Sequence, residues 1–324
     1  MVTVGRSGQV AAERLPVLAS TPGHLIRRTQ QLHAALWQQH VPQNLTSMQY
    51  GVLLVLGQQP GIDQRTVAEL MSLDKTTTAG VLRRLEGRGL VVRDRDPEDG
   101  RRMLARLTEP GETILVRTAP AVLDVQDRLL QALSFDEGEA LLRLLRLVVY
   151  RGDPPTTTAS IPQNAAVSGW PLRLPPIRLH TSPGHLIRRA QQLHTMLWSE
   201  RVSPELTSVQ YSVLLVLQGK SPIDQRMLGR HASLDKSSGG DVIARLESRE
   251  LIARTRDAVD GRRNLLTLSA AGRGQLYQHA RAVLDVQSEL VRPLSNAQRG
   301  EFVDLMQQLI ADAAPAARDE QVPA

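Results

Sequence analysis

Apolar side chains recur at helical spacing from the first patterned stretch of the chain onward. Leu25, Leu32 and Leu36 fall on one face of a helix that starts after the "TPG" turn. The next stretch, "SMQYGVLLVLG" at 47–57, is apolar on most sides, which predicts a helix at the centre of a core. Thr46, directly before it, has the hydroxyl expected of an N-cap.

Two short helices follow, and each is preceded by an aspartate suited to cap it. Asp63 precedes "QRTVAELM", and Asp74 precedes "KTTTAGVLRRLEG". Gly87 and Gly89 are expected to end the second helix, because glycine readily adopts the conformation of a C-terminal cap. Two short helices joined by a tight turn predict a helix-turn-helix.

The pattern then changes from helical to alternating. "LVVRDRD" and "RRMLARL" both alternate apolar with charged residues, and "PEDG" between them has the composition of a turn. A β-hairpin directly after a helix-turn-helix predicts a winged helix. Beyond it, Thr108 is placed to cap a long helix that runs to about Leu133, and Ser134 with Glu137 has the spacing of a capping box for a last helix.

This whole pattern occurs twice, with matching residues 161 positions apart. "PGHLIRR" occurs at 22–28 and 183–189, and "LTSMQYGVLLVL" at 45–56 returns as "LTSVQYSVLLVL" at 206–217. A repeat of about 130 residues is a duplicated domain, since solenoid units are shorter. The predicted organisation is a flexible N-terminus at 1–20, domain one at 21–150, a Pro-rich linker at 151–180, domain two at 181–312 and a disordered tail at 313–324.

Composition narrows the class of protein. Of the 324 residues, 41% are hydrophobic and 22% charged, as in ordinary globular proteins, while aromatic residues make up only 3%. Cores must therefore be built from aliphatic side chains, which favours a mainly α fold with small β-wings. The absence of cysteine excludes disulfides and thiolate metal sites. Without an apolar run of about 18–20 residues or a signal-peptide core, the chain is expected to be cytoplasmic.

The positive charge, +6 overall, is concentrated where a winged helix meets DNA. A recognition helix offers the side chains of its first turn to base edges, and a basic wing tip suits the minor groove. For any single arginine, a solvated surface position is the alternative. The predicted DNA-binding residues are Lys75, Thr76, Thr77, Thr78, Arg83, Arg84, Arg95, Arg101 and Arg102, and in the second copy Lys236, Ser237, Ser238, Arg245, Arg256, Arg262 and Arg263.

Asp99 and Asp260 are acidic residues within the basic wing tips. Each lies two positions before an arginine, so we expect it to orient that guanidinium through a bidentate pair. The stretch "DGRRMLARLTEPG" also fits the pattern D-x-R-x5-L-T-x2-G, and the second copy fits it with serine in place of threonine. This pattern resembles the wing signature of the MarR family of winged-helix transcription regulators. The resemblance extends over nearly all of both copies.

The resemblance implies a mode of assembly. Proteins of that family act as homodimers whose terminal helices interlock and whose two winged helices bind a pseudo-palindromic operator in double-stranded DNA. This chain carries both halves itself, so two tandem winged helix-turn-helix domains are expected to form an intramolecular pseudo-dimer. The long linker leaves a swapped dimer of two chains as the alternative.

The resemblance also implies a small-molecule effector. "PGIDQR" and the pattern R-R-x-Q-Q-x-H-x-x-L-W are similar to segments of the urate-responsive subgroup, which suggests an aromatic, phenolic or purine-like ligand. The candidate ligand contacts are His33, Trp37, Asp63, His194, Trp198 and Asp224. Packing is the alternative role for Trp37, and capping of a helix is the alternative for Asp63. No metal site and no cofactor are expected.

These observations favour a DNA-binding transcription regulator, a repressor released by its ligand, over two other classes. An enzyme is disfavoured because no nucleophile–base arrangement, phosphate loop or metal spacing is present. The remaining alternative is a ligand-sensing or protein-interaction module that does not bind DNA by itself. The two recognition helices differ, with Gly239, Asp241 and Ala244 in place of Thr78, Gly80 and Arg83, which predicts an asymmetric operator.

Overall fold

The computed structural model describes residues 15–42, 44–151, 177–234, 239–257 and 264–312. Residues 1–14 of the predicted flexible N-terminus, most of the predicted linker and the predicted tail lie outside these ranges. The first copy contains six helices and three strands: α1 (Pro22–His40), α2 (Ser47–Gln58), β1 (Ile62–Asp63), α3 (Gln64–Met71), α4 (Lys75–Gly87), β2 (Val91–Arg95), β3 (Met103–Leu107), α5 (Glu109–Leu130) and α6 (Phe135–Tyr150).

The second copy repeats this order among its described residues. Its elements are α7 (Pro183–Arg201), α8 (Ser208–Lys220), β4 (Ile223–Asp224), α9 (Gln225–Ala232), α10 (Gly239–Ser248), β5 (Ile252–Arg256), β6 (Asn264–Leu268), α11 (Ala270–Leu290) and α12 (Asn296–Asp312). A short 3₁₀ turn precedes the first helix of each copy, at Leu18–Ser20 and Leu179–Thr181. No helix in the described part is long and apolar enough to cross a membrane.

The predicted caps are present, and they explain where the helices begin. Thr46 and Gln49 form a capping box at α2, and Ser134 and Glu137 form one at α6. The Asp74 carboxylate accepts the Thr77 amide at 2.8 Å and so begins α4. The hydroxyl of Thr108 accepts the Gly111 amide, which starts α5 next to the wing.

Each wing is a three-stranded antiparallel sheet. β3 lies between β1 and β2, and its register pairs Leu107 with Val91 and Met103 with Arg95. The two-residue strand β1 pairs Ile62 with Ala105. It was not predicted, because two residues are too few to show an alternating pattern. This strand connects the base of the wing to the start of α3, and β4 does the same in the second copy.

The contacts divide the molecule into two compact units, and each unit contains residues of both copies. Among the described residues, the first-copy unit combines those within 29–190 with 304–312, and the second-copy unit combines those within 191–303 with 15–28. The predicted domain boundaries follow the repeat in the sequence, whereas these units follow packing. The start of α7 therefore packs with the first winged helix, and the start of α1 packs with the second.

The core of the first-copy unit forms around α2. Leu53 and Leu56 of α2 are fully buried, as are Leu82 and Leu85 of α4. Burying each such side chain contributes about 1.5–3 kcal/mol. The Trp37 indole donates to the Leu45 carbonyl oxygen at 2.7 Å, which ties the end of α1 to the start of α2.

Candidate DNA interface and effector cavity

The helix-turn-helix presents its second helix, α4, with a polar and basic surface. Lys75, Thr76, Arg83 and Arg84 are exposed, while Thr77 is half-buried. The Thr77 hydroxyl donates to the Asp74 carboxylate at 2.6 Å, so this residue takes part in the cap of its own helix. The exposed residues of the first turn are those that a recognition helix would offer to DNA.

The prediction for Thr78 is wrong. Its side chain is completely buried, and its hydroxyl donates to the Asp74 carbonyl oxygen at 2.8 Å. Thr78 lies on the same face of α4 as Val81, Leu82 and Leu85, which pack into the core. Because an atom without exposed surface cannot reach a base or a phosphate, Thr78 supports the helix and does not read DNA.

The described part of the wing carries four exposed arginines, Arg95, Arg101, Arg102 and Arg106. Arg106 pairs with Asp94 across the hairpin at 3.0 Å, and of the three predicted DNA contacts only Arg102 pairs with a carboxylate. Arg102 donates to Asp63 through Nε at 3.1 Å and through Nη2 at 2.7 Å. Asp63 also accepts the amide and the hydroxyl of Thr66, each at 2.8 Å. These hydrogen bonds from Thr66, followed by Arg102, lower the pKa of Asp63 to about 2.

Asp63 has the role of a helix cap, which is the alternative to the predicted ligand contact. It caps α3 and pairs with Arg102 in the turn between β2 and β3, and it is not among the residues that line the cavity around His33 and Trp37 described below. The equivalent Asp224 caps α9 by accepting the Met227 amide at 2.8 Å, and it does not line the second cavity. For both aspartates the capping interpretation is confirmed, and a contact with an effector stays a prediction. Asp224 also lines a separate surface cavity of about 570 Å³, together with Arg226 and Asn264.

Asp99 stabilises the wing turn through the backbone. Its carboxylate accepts the Arg101 amide at 3.1 Å, and its carbonyl oxygen accepts the Arg102 amide at 2.8 Å. No ion pair between Asp99 and a guanidinium is present among the described residues, so the predicted bidentate pair is wrong. At the wing tip, the guanidinium that a carboxylate orients is that of Arg102, and its partner is Asp63 from a different part of the chain.

In the second copy, Arg245 on α10 and Arg256 at the end of β5 are exposed. Asp241 is exposed in the first turn of α10, and Gly239 is buried at its start. The other predicted contacts in this copy lie outside the described residues; they are Lys236, Ser237, Ser238, Arg262 and Arg263, together with the wing residue Asp260.

A cavity of about 50 Å³ lies in the first-copy unit, next to the start of α7. Its lining includes His33, Trp37, Tyr50, Met71, His185 and Arg188. The rings of His33 and Trp37 are 5.9 Å apart and tilted by 50°, so they do not form the parallel stack that would sandwich a planar ligand. Because ligand pockets usually measure about 300–1,000 Å³, a ligand must displace side chains to enter, and the flexible Met71 suits this.

Arg188 links this cavity to the helix-turn-helix, and the sequence did not identify it as a site residue. Its guanidinium donates to the Met71 carbonyl oxygen, at the end of α3, at 2.7 Å, and to His185 Nδ1 at 3.0 Å. Burial lowers the pKa of Arg188 to about 10, so it stays charged at neutral pH. One signal in the sequence points to it: the segment "PGHLIRR" is identical in both copies. Exposed helical positions are usually free to differ between copies, so this identity indicates that the segment makes contacts.

The second-copy unit repeats the arrangement with a smaller cavity of about 20 Å³. His194 and Trp198, which the sequence offers as ligand contacts, line this cavity, and their rings are 5.8 Å apart. Arg27 donates to the carbonyl oxygens of Ala232 and Ser233 at 2.8 and 2.7 Å, and so contacts the end of α9. Each copy thus places an arginine of the "PGHLIRR" segment against the carbonyl end of the first helix of a helix-turn-helix.

The cavity histidines are buried and neutral. Burial, followed by the charge of Arg188, lowers the pKa of His33 to about 4. Burial, followed by Arg27, lowers the pKa of His194 to about 4. Since Arg188 can only donate, His185 Nδ1 must accept, which fixes the proton of this ring on Nε2.

Known transcriptional regulators are similar to this chain in sequence. The MarR family profile matches residues 43–102 and 205–263. The transcriptional regulator HosA of Escherichia coli O111:H- is 40% identical over 123 residues, which are 38% of this chain and 90% of HosA. The transcriptional repressor NicR of Pseudomonas putida is 33% identical over 129 residues, which are 39% of this chain and 81% of NicR.

Among solved structures, the PcaV transcriptional regulator from Streptomyces coelicolor in complex with its natural ligand is 38% identical to the matched part. The match covers 44% of this chain and 98% of PcaV, with a TM-score of 0.40. The curated relatives are matched over most of their own length and are themselves transcriptional regulators. The chain therefore belongs to the MarR family of transcriptional regulators, and it carries the domain of that family twice.

Proposed function

We propose that this protein is a sequence-specific repressor in which one chain binds both half-sites of an operator and a small aromatic anion releases it. The observation that carries the proposal is the exchange of segments between the copies. Each winged helix is completed by the start of a helix from the other copy, as the halves of an interlocked dimer would be. On this proposal, a single chain supplies both DNA-binding units of the operator complex.

The proposed DNA contacts follow from exposure and position. Lys75, Thr76 and Arg84 on α4 would face the major groove, and Arg95 and Arg101 on the wing would approach the sugar–phosphate backbone or the minor groove. Arg102 is different, because its pair with Asp63 fixes the position of its guanidinium before DNA arrives. Such pre-positioning lowers the entropy lost on binding.

The two half-sites would be read unequally. Asp241 in the first turn of α10 replaces Gly80 of α4, and a carboxylate there accepts from cytosine N4 or is repelled by phosphate. Ala244 replaces the exposed Arg83, so the second copy has one basic contact fewer. An asymmetric operator with half-sites about one helical turn apart is the expected target.

A ligand in the first-copy cavity would act through Arg188. This guanidinium lines the cavity and holds the carbonyl end of α3, directly before the turn that leads to α4. A carboxylate on an aromatic ligand would form a charge-assisted pair with Arg188 and compete with the Met71 carbonyl oxygen for its donors. Release of that carbonyl would loosen the turn between the two helices of the helix-turn-helix and reduce the affinity for DNA.

Selection from random 30-base-pair duplexes tests DNA recognition without knowledge of the target gene. We expect enrichment of one asymmetric motif, and an affinity that falls steeply with salt. Arg84→Ala should lower the affinity for DNA. If Arg84 contacts a phosphate, the slope of log affinity against log salt concentration should also become shallower by about one. Arg117→Ala, an exposed charge change on α5, is the matched control and should leave both unchanged.

The outcomes separate the functional classes. Absence of any enriched motif, with the wild-type protein folded, would favour the ligand-sensing or protein-interaction module. The mass of the operator complex tests the assembly, because one chain per operator supports the pseudo-dimer and two chains per operator support swapped halves. A motif that proves to be a perfect palindrome would contradict the unequal reading of the half-sites.

A further inference from the structure

One difference between the two cavities is the hydrogen bonding of a glutamine side chain. Gln287 of α11 lines the second-copy cavity and is buried there. Its Oε1 accepts the Gly23 amide at 2.8 Å, and its Nε2 donates to His194 Nε2 at 3.3 Å. Gly23 lies in the first turn of α1, so this amide carbonyl oxygen occupies the N-terminal end of that helix, where an anion would otherwise bind.

In the first-copy cavity, no glutamine side chain occupies the corresponding helix N-terminus within the described ranges. Gln126 occupies the equivalent position on α5 but is only half-buried, and within the described ranges its side chain makes no hydrogen bond. Gly184 at the start of α7 corresponds to Gly23, and its amide makes no hydrogen bond with a described residue. The amide donor that Gln287 occupies in one copy thus faces an open cavity in the other.

A second observation points to a ligand at this place. His33 is 5% exposed and lines the first-copy cavity, and its Nδ1 has no hydrogen-bond partner in the described part of the chain. It packs so closely on Gly184 that a β-carbon there would lie 2.3 Å from His33 Nε2. The second copy shares both features, because His194 Nδ1 is also unpaired among the described residues and a β-carbon at Gly23 would lie 2.3 Å from His194 Nε2. The unpaired histidine therefore marks both cavities and does not by itself distinguish them. An unpaired buried nitrogen is unfavourable, and a ligand with a polar substituent would supply the missing partner.

Residue replacements between the copies act in the same direction. Ser182 lines the first cavity where the bulkier Thr21 lines the second, and Gly51 lines the first where Ser212 lines the second. Ser212 is held rigidly, because its hydroxyl donates to the Ser208 carbonyl oxygen at 2.8 Å. The cavity volume is about 50 Å³ in the first copy and about 20 Å³ in the second. The smaller volume has room for about one water molecule.

We propose that the chain has one working effector site, in the first-copy unit, and that Gln287 acts as a built-in substitute for the ligand in the second-copy unit. The site takes an aromatic carboxylate. The carboxylate binds Arg188 and the Gly184 amide, and the ring lies against Trp37 and Met71. This inference rests on the proposed effector response, but it makes the separate claim that a chain with two related cavities binds a single ligand.

Titration calorimetry on the full chain with 4-hydroxybenzoate tests the stoichiometry, with 4-hydroxybenzamide as the uncharged control. We expect one equivalent of the carboxylate per chain and at least tenfold weaker binding of the amide. Gln287→Ala removes the substitute and should raise the stoichiometry to two. Gln126→Ala is the matched change in the other copy and should leave it at one.

Fluorescence locates the site without any change to Gln287. The chain has three tryptophans, so replacing Trp170 and one other by phenylalanine leaves either Trp37 or Trp198 as the single emitter. We expect 4-hydroxybenzoate to change the emission of the protein that retains Trp37 and to leave that of the protein with Trp198 unchanged. This result decides the question even if Gln287→Ala does not fold.

The outcomes distinguish this inference from the function on which it rests. Two equivalents of equal affinity in the wild-type chain, or a response of Trp198 alone, would overturn the single site and leave the effector response intact. If Gln287→Ala folds and the stoichiometry stays at one, the role given to Gln287 is overturned. If neither tryptophan responds and no heat is detected, both this inference and the proposed release by an aromatic anion fail.

Discussion

Mild acid should destabilise this protein through its buried histidines. His33 in the first-copy unit and His194 in the second-copy unit are at most 5% exposed, and burial lowers the pKa of each to about 4. Burial and two neighbouring arginines lower the pKa of His24 further, to about 3. The folded chain therefore keeps these rings neutral at pH values at which the unfolded chain protonates them.

The sign and size of the effect follow from proton linkage. A group whose pKa is lower in the folded state makes the unfolded state bind more protons, so the free energy of unfolding falls as pH falls below about 6.5. At pH 5, an unfolded histidine is almost fully protonated, and a folded one with a pKa of about 4 is mostly neutral. Each such ring then costs about 2 kcal/mol, because one pH unit corresponds to about 1.4 kcal/mol. The three rings of His24, His33 and His194 together remove about 6 kcal/mol from a stability that is typically about 5–15 kcal/mol.

Urea unfolding followed by circular dichroism at pH 7, 6 and 5, at constant ionic strength, measures this loss. In His33→Gln, the decrease in unfolding free energy between pH 7 and pH 5 should be about 2 kcal/mol smaller than in the wild type. His279→Gln, at a half-buried position on α11, is the control and should retain most of the wild-type decrease. Asp63 does not interfere, because its lowered pKa affects stability only below about pH 4. A wild-type stability that is equal at pH 7 and pH 5 would refute the reasoning.

Further expectations concern the wing and its junction. In a thermal melt, Asp63→Ala should lower the free energy of unfolding by about 1–2 kcal/mol, because it removes the cap of α3. The same variant should weaken DNA binding, because it frees Arg102. Asp63→Asn should keep most of the stability and lose the DNA affinity. Gly111→Ala would place a β-carbon 2.1 Å from the Leu90 carbonyl oxygen and should destabilise by about 1–3 kcal/mol. Gly138→Ala, whose β-carbon would meet only a side-chain atom at 3.8 Å, should instead stabilise α6 by about 0.5–1 kcal/mol.

The elements that could be predicted from sequence are those determined by neighbouring residues. Caps such as Asp74 and the hairpin of the wing depend on side chains within a few positions, so their patterns identify them directly. The burial of Thr78 was also accessible, because it lies three, four and seven positions before Val81, Leu82 and Leu85. The analogy with a recognition helix places Thr78 at the DNA, whereas this spacing places it in the core.

The parts that could not be predicted depend on contacts far apart in the chain. Arg188 contacts Met71 across 117 positions, and no local pattern connects them. Arg102 pairs with Asp63 across 39 positions, whereas the sequence suggested Asp99, two and three positions before the two arginines of the wing tip. The difference between the cavities is subtler still, because Gln126 and Gln287 are the same residue type and differ only in what surrounds them.

The exchange of segments between the copies has a consequence for how this gene can change. A mutation in the start of α1 alters the packing of the second winged helix, and a mutation in the start of α7 alters that of the first. Deletion of either copy would remove part of the core of the other, so a return to a single-copy gene requires the lost packing to be rebuilt between separate chains. The duplication is therefore difficult to reverse by point mutation, while the exposed surfaces of the two copies remain free to diverge.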